Sequence, residues 1–152
     1  LPYLVEHFQR MGTGPTSTFI HDLPYYLDTM DNEYMSSVEK NLQIPLLNFI
    51  DKNKKKWNVD YLVKPDGPPF ITLDIKDKLD TLNINSEEFR ELSLRLACPV
   101  LVNDGILRIA LTGFEKNKHK EYTNKIIDRI DMLLSINKND IILKNFKNNN
   151  KY

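Results

Sequence analysis

The chain predicts an α+β domain: a small, mainly antiparallel sheet with helices packed on one face, preceded by connecting helices. Three observations lead there. Segments with helical spacing of apolar residues lie at both ends. Two pairs of short alternating strands lie between them, each pair joined by a turn. One further helical stripe separates the pairs, so strands come in pairs rather than as alternating βαβ units.

The elements follow in order. Leu4, Val5, Phe8 and Met11 predict a short helix that Gly12-Thr13-Gly14-Pro15 ends. Thr16, Ser17 and Thr18 are candidate caps for a second stripe, Phe19, Ile20, Leu23, Leu27 and Met30. Pro24 falls inside that stripe and predicts a kink or restart near Asp22. Asp31 and Asn32 cap a third stripe of Met35, Val38, Leu42, Leu46, Phe49 and Ile50, which Pro45 disturbs. The lysines between Lys52 and Lys56 suit the C-terminal end of that helix.

From Trp57 the period changes to two. Val59, Tyr61 and Val63 alternate, 65–69 form a turn, and 70–75 read as a second strand. Ser86 is a candidate N-cap, with Glu87 and Glu88 in the first turn and Phe89, Leu92 and Leu96 on the apolar face. Cys98-Pro99 ends that helix. A short strand, Val100-Leu101-Val102, a tight turn, Asn103-Asp104-Gly105, and a strong strand from Ile106 to Thr112 come next. The last stripe is Tyr122, Ile126, Ile127, Ile130, Leu133 and Leu134, and the mostly polar residues beyond Asn137 are expected to fray. Three regions result: a helical connecting segment at 1–56, the α+β domain at 57–136, and an Asn/Lys-rich tail at 137–152.

Composition narrows the function classes. With 41% of its residues apolar and 10% aromatic, a chain of 152 residues buries a real core. The 21 basic and 21 acidic residues cancel, which argues against a dedicated nucleic-acid or membrane-surface binder. No apolar run approaches the ~20 residues that cross a bilayer. A single cysteine, Cys98, forms no internal disulfide and suits a reducing, cytoplasmic compartment. The first residue is Leu1, which suggests a processed chain or a piece of a longer one. The 16 Lys and 16 Asn against 5 Arg reflect adenine-rich codons, so lysine runs carry little weight and each arginine carries more.

Candidate chemistry is sparse. His7, His21 and His119 are scattered, and Cys98 has no second thiol at ligand spacing, so no metal site is expected. Asp74, Asp77 and Asp80 fall at a strand end and turn without calcium-loop spacing. Ser37 and Lys40 satisfy S-x-x-K, but the companion motifs are missing and both are expected on a solvated helix face. Gly12 to Ser17 leads into a helix yet lacks the lysine of a P-loop, which favours a connector. Lys54-Lys55-Lys56-Trp57 pairs basic residues with an aromatic ring; a solvated helix end before a core Trp is the plainer reading. Cys98, between Ala97 and Pro99, reads as a small buried thiol.

Arg108 is the most informative residue. Alternation puts Leu107, Ile109 and Leu111 on one face of its strand and Ile106, Arg108 and Ala110 on the other. Either the guanidinium meets a carboxylate bidentately, or its stem lies over an exposed sheet.

In order and spacing, residues 4–136 resemble the C-terminal part of fold-type I pyridoxal-phosphate enzymes, the class I/II aminotransferases. The run from Val63 to Ile75 is similar to their hairpin entering the small domain, with Pro68 and Pro69 where glycine is usual. Ser86 to Leu96 and then Cys98 to Val102 resemble the helix and short strand that follow. Gly105 to Thr112 resembles the strand whose arginine binds the substrate's α-carboxylate. Pro15 to His21 resembles the segment opening a helix after the cofactor lysine, with His21 in place of Gln.

The resemblance implies an aminotransferase small-domain fold and substrate binding by Arg108. It implies pyridoxal 5'-phosphate in a parent enzyme, an amino or keto acid substrate, a homodimer, and a missing N-terminal cofactor domain as partner. The lysine that anchors the cofactor lies upstream in the family, and no lysine precedes Lys40 here, so this chain alone is not a complete catalyst. The alternative is a non-catalytic α+β protein-interaction module; an RNA-binding domain using Lys54 to Trp57 is disfavoured by charge.

Overall fold

The computed structural model describes residues 32–66 and 69–149. The chain divides into two units, Leu1–Ser36 and Ser37–Tyr152. The predicted helices before residue 31 lie outside the described residues. The second unit is α+β, and the order of its elements explains how it positions the arginine.

Helix α1 (Asn32–Val38) runs into a π-helical segment (Glu39–Gln43) and then into α2 (Ile44–Trp57). The π segment has a local cause. Pro45 carries no N–H, so the α-helical bond to the carbonyl of Asn41 is not available. The ladder widens just before the proline, with the Ile44 N–H bonding to Glu39 O, five residues back. The Asn41 carbonyl accepts instead from the Thr123 hydroxyl, 82 residues away in sequence. Val38, Leu42, Leu46 and Ile50 remain fully buried across the disturbance. Helix α2 ends at Asn58, in the left-handed region at φ 59°, with Lys54, Lys55 and Lys56 in its last turn.

The expected first strand is cut short. Only β1 (Asp60–Tyr61) pairs, while Leu62 and Val63 are exposed. Strand β2 (Phe70–Asp74) leads into a short helix, α3 (Lys76–Leu82), where the sequence suggested a turn. Leu79 and Leu82 are one turn apart and both buried; that single pair is too short a stripe to read as a helix. Helix α4 (Ser86–Arg95) is capped by Asn85 rather than by Ser86. Asn85 Oδ1 accepts from Glu88 N–H, and Glu88 Oε2 accepts from Asn85 N–H, a reciprocal capping box.

Strands β3 (Val100–Asn103) and β4 (Ile106–Ala110) form a hairpin around Asp104 and Gly105. Both turn residues have positive φ, 48° and 75°, as a two-residue turn of this hand requires. The four strands form an antiparallel sheet in the order β1-β2-β4-β3. Ile71, Leu73, Val100, Val102, Leu107 and Ile109 face the core, and the alternate residues face away. A 3-10 turn (Lys116–Lys118) precedes α5 (His119–Leu134), whose Ile126, Ile130, Leu133 and Leu134 are buried.

The tail departs from expectation. Helix α6 (Ile141–Asn149) buries Leu143 and Phe146, and Lys147 Nζ donates to Leu82 O at the end of α3. Two buried apolar side chains and that tie outweigh the polar composition that suggested fraying.

Candidate functional site

The candidate site is the open face of the sheet, where the register decides what lies together. Arg108 sits on β4 between Thr72 of β2 and Leu101 of β3. Its guanidinium lies 5.1 Å from the ring centroid of Phe70, a cation–π contact that steers the side chain across the sheet. Arg108 is exposed, and among the described residues no carboxylate pairs with it. Five guanidinium N–H groups stay available to an incoming anion.

The surroundings of Arg108 mix apolar and charged groups. Leu101 is 64% exposed and Ile106 half-buried on the same face. With Arg90, Asn103 and Asp104 they line an open cleft of about 620 Å³ that runs off the sheet at β3. Arg90 reaches it from α4 and stands 3.9 Å from Glu87, a loose surface pair. The turn beneath the cleft is fixed by Ser86, whose Oγ accepts from the Gly105 N–H at 2.7 Å. Ser86 therefore serves the β3–β4 hairpin, while Asn85 takes the capping role that the sequence had assigned to Ser86.

A second polar cluster lies where the end of α1 and the π segment meet α5. Ser37 Oγ is 2.8 Å from His119 Nδ1 and accepts from Asn41 Nδ2 at 3.0 Å. His119 Nε2 is 3.2 Å from the carbonyl of Phe114; a carbonyl only accepts, so Nε2 carries a proton. His119 is 1% exposed and Ser37 half-buried, which corrects the solvated position expected for Ser37. Lys40 is exposed and takes no part, so S-x-x-K carries no chemistry here. A serine hydroxyl beside an imidazole resembles an activated nucleophile in outline. A buried imidazole held by a serine on one side and a main-chain carbonyl on the other fits a packing bond between helices better.

The remaining candidates are structural. Trp57 is fully buried, with Nε1 donating to Ser135 Oγ at 3.2 Å and its ring 5.5 Å from that of Phe49, so it does not stack on a base. Lys54 bonds Asp60 at 2.6 Å. Cys98 is a buried free thiol, its pKa pushed up to about 12 by burial, which leaves it unreactive. No metal-holding group of His, Cys, Asp and Glu occurs among the described residues, and no helix there is long and apolar enough to cross a membrane. Gly12 to Ser17 and Pro15 to His21 lie outside the described residues.

A Schiff base needs a lysine amine turned toward the substrate, and the cleft beside Arg108 has none in its walls. Buried Lys78 is on α3, away from that cleft, and its amine feels the charge of Asp140, which precedes α6. Comparison with protein-family models, curated proteins and solved structures gives no match.

Proposed function

We propose that this chain is the carboxylate-binding C-terminal portion of a pyridoxal-phosphate enzyme of the aminotransferase kind. The observation that carries the reading is Arg108: an exposed arginine at the centre of a sheet face whose opposite face is the core. Its strand, the hairpin before it and the helix before that follow the order of the aminotransferase-like patterns in the sequence.

Arg108 orients an amino or keto acid by two parallel N–H···O bonds to one carboxylate, with Phe70 holding the guanidinium in place. The chemistry on the carbon beside that carboxylate belongs to the cofactor, held by an N-terminal domain outside this chain. No step of it is assigned to residues described here. The intact enzyme is a homodimer in a reducing, cytoplasmic compartment under this reading, which the buried free Cys98 suits.

The test uses the full-length protein from the natural transcript. Borohydride reduction traps the cofactor on a lysine, and peptide mapping is expected to find that lysine before residue 1. In the same protein Arg108→Lys is expected to raise KM for the acid substrate at least tenfold, because an ammonium lacks the planar fork. A full-length protein without cofactor, or an unchanged KM, overturns the reading. The interaction-module alternative draws on one observation, the apolar Phe70 and Leu101 on the open face, 43% and 64% exposed.

A further inference from the structure

The register of the sheet leaves one edge chemically open. In a two-residue hairpin the residues flanking the turn exchange both main-chain bonds, so Asn103 bonds Ile106 and, two residues on, Leu101 bonds Arg108. The other side of β4 agrees: Ile75 N–H donates to Gly105 O and Leu111 N–H to Pro69 O, so odd residues of β4 face β2. Val100 and Val102 therefore point their main-chain groups away from the sheet. Val100 N–H is taken by Cys98 O at 2.9 Å. Among the described residues the Val102 N–H donates no bond, and the Val102 and Val100 carbonyls accept none.

We infer that the β3 edge is a strand-addition site for an extended peptide carrying one acidic residue at its centre. Val102 as a whole residue is 5% exposed, which holds its backbone in place, and grooves lie on both sides of it. Arg90 lines both grooves. An antiparallel strand would place one residue opposite Val102, exchanging both bonds with it, and a third N–H at the Val100 carbonyl. The side chain of the residue opposite Val102 falls on the helical side, where Arg90 stands; a carboxylate there replaces the loose 3.9 Å contact with Glu87. The next residue falls on the open side against exposed Leu101, which favours an apolar side chain. Glu87 and Asp104 at the turn end of the groove repel acids there, so the charge match fixes the register to one central acid. The inference is independent of the cofactor reading, since it uses neither Arg108 nor any missing domain.

The test titrates the 152-residue chain, labelled with nitrogen-15, with a blocked heptapeptide of threonine and valine bearing one central glutamate. Binding is expected to shift the Val102 amide signal and slow its hydrogen exchange. A peptide with lysine in place of the glutamate, or one N-methylated on the bonding edge, is expected to bind at least tenfold more weakly. In Arg90→Glu the preference for glutamate over lysine reverses; Arg90 is exposed, and Arg90→Gln, losing the preference without reversing it, guards against misfolding. No binding, equal binding of the two charges, or shifts away from β3 overturn the proposal. So does a Val102 amide that becomes protected with rising protein concentration and no peptide, since the occupant is then a second copy of the chain.

Discussion

Thr123 on α5 donates its hydroxyl to the main-chain carbonyl of Asn41, the carbonyl that Pro45 has no N–H to reach in an α-helical ladder. A defect written into one helix by a proline is thus met by a side chain on another. The same hydroxyl lies 2.9 Å from His119 O, so its single proton is shared between two carbonyls. Ser37 and His119 add a second tie across the same seam.

Thr123→Val keeps shape and burial but removes the donor. Thr123 is 4% exposed, so the loss is expected to cost roughly 1–3 kcal/mol, read from urea unfolding. Pro45→Ala restores an N–H four residues after Asn41. In that background Thr123→Val is expected to cost less, and the difference is the coupling through the Asn41 carbonyl. Equal costs in the two backgrounds would show that the proline and the threonine act separately.

Such ties explain how far the sequence could be read. Strands β2 and β4, the Asp104-Gly105 hairpin, α4 and α5 were legible because each carries its own period and turn chemistry. Helices α3 and α6 were not: each buries only a short apolar stripe, and polar neighbours dominate the local signal. The shortened β1 shows the opposite error, since alternation at Val59, Tyr61 and Val63 promised a strand that β2 pairs at only two residues. Arg108 was legible as a residue apart, because alternation fixes its face; its neighbour Phe70 was not, because it depends on strand register. The Ser37–His119 contact joins residues 82 apart and leaves no trace in local pattern.

Gly105 is required twice over. Its φ is +75°, and a methyl there would meet Lys76 Cγ at 2.6 Å. Gly105→Ala is expected to cost about 1–2 kcal/mol for the left-handed backbone alone. The contact is with a flexible stem, so Lys76→Ala added to it should recover only a small part of the loss in thermal stability. Full recovery would place the cost in the clash instead of the backbone.

Lys78 is 6% exposed on α3, and burial holds its amine below the usual lysine range while Asp140 partly offsets the shift. Lys78→Met keeps the stem's length and removes a charge that is poorly solvated. Stability at pH 7 is expected to stay level or rise by up to about 1 kcal/mol in urea unfolding. A loss larger than that would mean the attraction of Asp140 outweighs the desolvation of the amine.

The buried thiol of Cys98 makes stability depend on alkaline pH in a definite direction. Burial raises its folded pKa from 9.0 to about 12, with Arg129 pulling weakly the other way. Above pH 9 the unfolded chain gives up the thiol proton while the folded chain keeps it, so the unfolded state binds fewer protons and stability falls as pH rises. The contribution is fully present below pH 9 and is lost progressively up to about pH 12, on the order of 1 kcal/mol per pH unit. Tyr61, whose phenol is pushed up first by burial and then by its bond to Asp51, adds a loss of the same sign above its ordinary range. Cys98→Ala separates the two: its unfolding free energy should fall less steeply between pH 9 and 11 than that of the parent chain. Parallel slopes would mean that the thiol ionises in place, and Cys98 would then also react with a thiol reagent in the folded chain at pH 9 without unfolding first.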